Sequence, residues 1–239
     1  MAYNNARTMS PGTYGYSELM QLGYAHECAD DKESILLRNI AKLGYMLKIE
    51  LKKFSLFDQT SPHTCVPVRA LAEWIADMCP DRLLGGYKLE SLSDFQSLLQ
   101  QFWKSYRVQN GEHQVFQEKT HLLRNCLPIK VHTDEGTGLR KTAIYQYSWG
   151  PVIAKDLSTT NRYYFWSCIF HEQYRRHHAG YEVGNLVLDD LMGEMGRQLT
   201  DLYNNGIEIG GQRFFLVLTG LEGDLPSQAR VCHCNWFEI

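Results

Sequence analysis

Two carboxylates carry the chemistry that this sequence suggests. Asp134 closes the run Ile129-Lys130-Val131-His132-Thr133 and opens the turn-forming stretch Glu135-Gly136-Thr137-Gly138. Asp224 follows the apolar run Arg213 to Thr219 and the link Gly220-Leu221-Glu222-Gly223. Both runs have the composition of β-strands, so each acid is expected just past the end of a strand. Two carboxylates brought close together repel, and one is driven to protonate unless a cation neutralises the pair. Hard oxygen ligands select Mg²⁺ or Mn²⁺, which keep part of their water shell and reach for phosphate oxygens. In a two-metal centre that chemistry is in-line phosphoryl transfer. Asp134 and Asp224 are therefore the expected catalytic and metal-binding residues. A lone Asp at a strand end is more often a turn former or a helix cap, and Asp224 before Leu225-Pro226 suits a cap. Two such acids in the same relation to their strands shift the balance toward a shared ion.

The other chemistry-bearing groups are weaker. His171-Glu172 lacks a second His at the spacing of a zinc hydrolase, since Arg175 stands there. Cys232-His233-Cys234 is too short for a closed four-ligand site, so zinc is not expected within this chain. Gly136-Thr137-Gly138 lacks the ending of a phosphate loop. Basic patches at Lys42, Lys48, Lys52 and Lys53, and at Arg175-Arg176-His177-His178, read first as solvated surface. The aromatic run Tyr163 to Trp166 is expected to be buried in a strand rather than to stack bases.

The elements that would position the acids are legible from periodicity. Residues 1–30 form an irregular lead-in. Ile35, Leu36, Ile40, Leu43, Leu47 and Leu51 then recur at helical spacing. A second helix is expected from Pro67 to Met78, a third from Ser91 or Ser93 through Trp103, and a fourth over 112–124. Residues 31–125 are thus read as a helical region. After Cys126 the period changes: strands are expected at 129–133, 141–149 and 162–170, linked as an antiparallel meander. A helix from Asn185 to about Tyr203, closed by Asn204-Asn205-Gly206, leads to an apolar strand at 213–219. A last helical piece is expected at 227–232. The fold class is α/β, with a β-β-β-α-β mixed sheet over 126–239. A right-handed crossover would set the last strand parallel to an earlier one. If that neighbour is the first strand, ~4.8 Å separates the two backbones and both acids meet at one sheet edge.

Composition bounds the class. The chain has 239 residues, a formal charge of −3 and 44% hydrophobic content, enough for a sizeable core. It offers no overall basic field of the kind many nucleic-acid binders carry. No apolar run is long enough to cross a membrane, and the N-terminus lacks the pattern of a secretory signal. Seven unevenly spaced cysteines suit free thiols. An intracellular chain with no membrane partner is expected.

The segment Leu127 to Gly136, a Pro-led strand ending in Asp134 and a turn, resembles the first catalytic block of D-D-E transposases with a ribonuclease-H-like fold, particularly those of CACTA-like eukaryotic elements. Leu218-Thr219-Gly220-Leu221-Glu222-Gly223-Asp224 is similar to their second block, after which Cys and His residues often follow, as Cys232-His233-Cys234 do here. The similarity covers roughly residues 126–239. It implies a transposable-element-derived protein with a Mg²⁺- or Mn²⁺-dependent DNA strand-cleavage and strand-transfer core, a DNA partner, and a nuclear location for a functional transposase. The family's third acid lies on a later helix, and fifteen residues follow Asp224, with Glu238 close to the end. The region therefore reads as incomplete, and the chain as inactive alone. The alternative is a non-catalytic binding or scaffold protein that recognises a partner through 31–125. A homo-oligomer is compatible with either.

Overall fold

The computed structural model describes residues 49–137, 143–155, 162–175 and 185–223. The chain divides into two compact units at Lys48 and Ile49, and every described residue belongs to the second. The expected helix over 35–47, Asp224, the helical piece at 227–232 and Cys232-His233-Cys234 lie outside the described residues.

The described fold is mixed α/β. It begins with a small hairpin, β1 (Lys52–Phe54) against β2 (His63–Cys65). Helices α1 (Val68–Met78), α2 (Pro80–Leu83), α3 (Leu92–Gln109) and α4 (Val115–Glu118) follow, and a 3₁₀ segment, Thr120–Asn125, leads into the sheet. The sheet contains β3 (Cys126–Thr137), β4 (Ala143–Pro151), β5 (Tyr164–Phe170), β6 (Ile207–Ile209) and β7 (Gln212–Glu222). A short turn of helix, α5 (His171–Tyr174), follows β5, and the long α6 (Leu186–Asn205) precedes β6.

The spatial order of the five strands is β5-β4-β3-β7-β6. β3, β4 and β5 form the expected antiparallel meander, and β7 runs parallel to β3. β6 is a short antiparallel edge strand joined to β7 through Gly210 and Gly211, both at positive φ, where a side chain would be strained. The sequence pattern closed α6 at Gly206 and assigned no element to β6.

Alternation sets the two faces of the sheet. Ile129, Val131 and Thr133 are buried, while Lys130 and His132 are half-buried and Asp134 is exposed. Across the β3–β4 pairing, Val131, Thr133 and Glu135 face Trp149, Tyr147 and Tyr145, three aromatics removed from solvent. α6 lays Val187, Leu191, Met195 and Leu202 into the core. Its ends are locally encoded: Asn185 Oδ1 accepts from the backbone N–H of Val187 and Leu188, and Gly206 takes φ 65° at the close. α3 is tied to the sheet by Trp103 Nε1, which donates to Cys126 O at 2.9 Å, and Tyr106 OH, which donates to Thr219 O at 3.1 Å.

Three local expectations give way to tertiary contacts. Leu51 continues the helical period in sequence, yet it is exposed and non-helical, and the next residues form β1. The three-residue hairpin is too short to stand alone. It is held by Lys52 Nζ on the buried Glu194 carboxylate at 2.6 Å, and by Ser167 Oγ, which donates to Thr64 O at 2.9 Å. The fourth helix breaks at Lys119, whose buried ammonium lies 3.9 Å from the Phe215 ring centroid and 4.7 Å from that of Tyr203. The strand 213–219 runs on to Glu222, so Glu222 belongs to β7 rather than to a link.

Candidate functional site

The candidate site is the edge of the sheet where β3 and β7 run out together. After an irregularity between Ile129 and Lys130, the parallel register settles into Lys130↔Gly220, Val131↔Leu221 and His132↔Glu222. Gly223 continues it: a Cβ built there would lie 2.2 Å from Thr133 O. Only glycine lets the two backbones approach so closely.

Asp134 is not past the end of its strand. β3 extends to Thr137 because its pairing with β4 does, and Asp134 sits inside it, opposite Gln146. What ends near Asp134 is the described pairing with β7. Its carboxylate is exposed, a hard oxygen ligand open to solvent. Asp224 lies outside the described residues. The fold therefore pairs β3, which holds Asp134, with β7, whose described end is Glu222. Among the described residues, no group of three or more His, Cys, Asp or Glu is placed to hold a metal ion. Asp134 is of the right chemistry for Mg²⁺ or Mn²⁺ and supplies one ligand.

Charged groups that periodicity did not single out lie beside it. Lys130 on β3 forms an ion pair with Glu222 Oε2 on β7. Tyr163, just before β5, donates its hydroxyl to the same oxygen at 2.5 Å, and its ring centroid is 4.9 Å from that of His132. Burial alone would raise the Glu222 carboxyl, but the bonds from Lys130 and Tyr163 outweigh it and hold the group below the ordinary carboxylate range. One sequence signal could have found Glu222: it precedes Asp224 by two residues, the period of one strand face.

The chain also pairs a carboxylate with an imidazole at the end of β5. His171 Nδ1 lies 3.2 Å from Glu135 Oε1 and 3.2 Å from Tyr174 OH. Glu172 pairs with Arg175 at 2.8 Å, so the position where a second zinc-ligating His would stand holds a surface ion pair instead.

Two further arrangements are structural. His63 Nε2 lies 2.7 Å from Ser167 Oγ, but that hydroxyl gives its proton to Thr64 O, which leaves no activated nucleophile. A polar cleft of about 440 Å³ lies among α1, the end of α6 and β6. Its Arg69 is committed to Asp201 Oδ2 at 2.5 Å, Glu73 at 3.1 Å and Gly206 O at 3.0 Å. No helix among the described residues is long and apolar enough to cross a membrane. Compared with protein-family models, curated proteins and solved structures, the chain matches none.

Proposed function

We propose that residues 126–239 form a ribonuclease-H-like phosphoryl-transfer core of the D-D-E transposase type, acting on DNA, with Asp134 and Asp224 as its metal-binding acids. The observation that carries the reading is the register of β3 against β7. The pairs Lys130↔Gly220, Val131↔Leu221 and His132↔Glu222 are each 90 residues apart, as are Thr133 and Gly223, which the close approach at Gly223 sets side by side. Asp134 and Asp224 share that separation of 90. One further step of the same register would put the two carboxylates on neighbouring strands, at ~4.8 Å backbone spacing and on the solvent-facing side. The order of a three-stranded meander, a crossing helix and a strand parallel to the first supports the same reading.

Asp134 and Asp224 would hold Mg²⁺ or Mn²⁺, which when bound supplies Lewis-acid stabilisation of charge on phosphate oxygens. The protein's own part is to fix Asp134 on the central strand of a packed sheet, where its backbone bonds to β4. In this reading the ion is held through these two carboxylates.

Titration of the full chain with Mn²⁺, followed by calorimetry or by paramagnetic broadening of backbone signals, tests the reading. Binding that is lost in both Asp134→Asn and Asp224→Asn is expected. Binding indifferent to either change would refute it and favour a scaffold role for the helical region. Mg²⁺- or Mn²⁺-dependent cleavage of DNA by the chain that disappears in Asp134→Asn would support the centre directly.

A further inference from the structure

Two donors from separate parts of the chain converge on a single carboxylate oxygen beside the candidate site. Lys130 Nζ, from β3, and Tyr163 OH, from the approach to β5, both engage Glu222 Oε2. The Lys130 ammonium also lies 5.5 Å from the Tyr163 ring centroid. The neighbouring Arg162 is committed elsewhere, donating from Nε to Pro151 O at 3.4 Å and from Nη2 to Val152 O at 3.2 Å. Glu222 is half-exposed and the Lys130 side chain is 15% exposed, so the donors come from a partly desolvated wall and the anion from the solvent side. An oxygen held by an ammonium and a phenol receives the contacts that proteins give to a phosphodiester oxygen.

We infer that Lys130 and Tyr163 form a phosphodiester subsite for a polynucleotide backbone, and that the Glu222 carboxylate fills this subsite in the free chain as an internal anion. The choice of a polynucleotide rests on the phosphoryl-transfer reading of Asp134. Asp134 lies four residues beyond Lys130 on the same strand and face, about 13 Å along it, so a backbone seated on Lys130 can pass toward the acid. Lys130 is then a site cation whose charge is spent on Glu222 until phosphate displaces it. A purely structural staple between β3 and β7 would use the same ion pair, and the two accounts differ in what happens when the carboxylate is neutralised.

The experiment measures binding of a labelled mixed-sequence single-stranded oligonucleotide to the full chain by fluorescence anisotropy, with EDTA present so that metal plays no part. Glu222→Gln is expected to bind on the order of tenfold more tightly than the parent. Its logarithmic salt dependence should steepen by about 0.7, the value of one added contact to a single strand. Adding Lys130→Met to Glu222→Gln should abolish the gain. Glu208→Gln, the same charge change on β6, should leave the affinity within about twofold of the parent.

Unchanged affinity in a folded Glu222→Gln chain would overturn the inference. So would a gain that survives Lys130→Met, an equal gain in Glu208→Gln, or a gain seen for inorganic phosphate and not for the oligonucleotide. Because metal is absent, the two readings fail separately. Mn²⁺ binding indifferent to Asp134→Asn removes the phosphoryl-transfer centre and leaves the subsite standing, whereas loss of the Glu222→Gln gain does the reverse.

Discussion

Two glycines three residues apart on the same chain segment should respond oppositely to alanine. At Gly223 a Cβ would lie 2.2 Å from Thr133 O, 3.2 Å from Thr133 Oγ1 and 3.3 Å from Thr133 C. The first of these atoms is a backbone carbonyl of the central strand and cannot rotate aside. Relief requires the end of β7 to move off β3 by roughly 1 Å to reach ordinary contact distance. Forced overpacking of this kind costs about 2 kcal/mol. At Gly220 no heavy atom lies within 4 Å of the same added carbon. Alanine there restricts the unfolded chain without a clash and should stabilise by about 0.5 kcal/mol. The two variants should therefore differ by about 2.5 kcal/mol, which at a urea slope near 2 kcal/mol/M separates their midpoints by about 1.2 M. Urea unfolding followed by tryptophan fluorescence gives the first readout, and Mn²⁺ affinity the second. Gly220→Ala should bind Mn²⁺ as the parent does, and Gly223→Ala should bind it more weakly if the proposed pair forms, since it parts β7 from β3. Equal stability of the two variants would refute the close approach. A destabilised Gly223→Ala with full Mn²⁺ affinity would refute the link between that approach and the metal pair.

The buried Glu194 carboxylate accepts from Lys52 at 2.6 Å, Gln198 at 2.7 Å and Arg197 at 3.0 Å, and so joins the β1–β2 hairpin to α6. The Lys52 and Arg197 side chains remain largely solvated, so Glu194→Ala should cost about 2 to 3 kcal/mol rather than the full worth of three charged bonds, as read from a denaturation midpoint. Burial would raise the Glu194 carboxyl, but its bonds to Lys52, Gln198 and Arg197 hold it below the ordinary value. The unfolded chain thus takes up this proton first. The contribution is present above the ordinary carboxyl range and is lost as pH falls through the folded value, so the gap between parent and Glu194→Ala should narrow below about pH 4.3. Asn185→Ala removes the cap of α6 and the bond from Asn185 Nδ2 to Tyr174 O at 2.8 Å, and should lower stability by about 1 to 2 kcal/mol. Asn185→Asp should fall between, since it keeps the cap acceptor and loses the donor; thermal unfolding of the three chains checks the order.

What the sequence determined by itself was local or nearly so. The ends of α6 were legible because a cap acceptor and a C-terminal glycine act on their own turn, and the start of α1 because Pro67 ends one conformation and permits the next. β3 and β7 were legible because apolar runs of strand length must be buried; their pairing was one option among neighbours, and the strand that directly follows α6 is β6, antiparallel to β7. The tertiary structure decided what depends on partners distant in sequence. Asp134 lies within β3 rather than beyond it because the β4 pairing continues to Thr137 and Ala143. The β1–β2 hairpin exists through Glu194, far along the chain, and the helix expected over 112–124 breaks where Lys119 turns to the rings of Tyr203 and Phe215. Lys130 of β3, Glu222 of β7 and Tyr163 just before β5 meet, and no local period marks them as neighbours. A sequence pattern reports which face of an element is buried. Which charges then share the other face depends on strand order and register, and those are set when the whole sheet closes its hydrogen bonds.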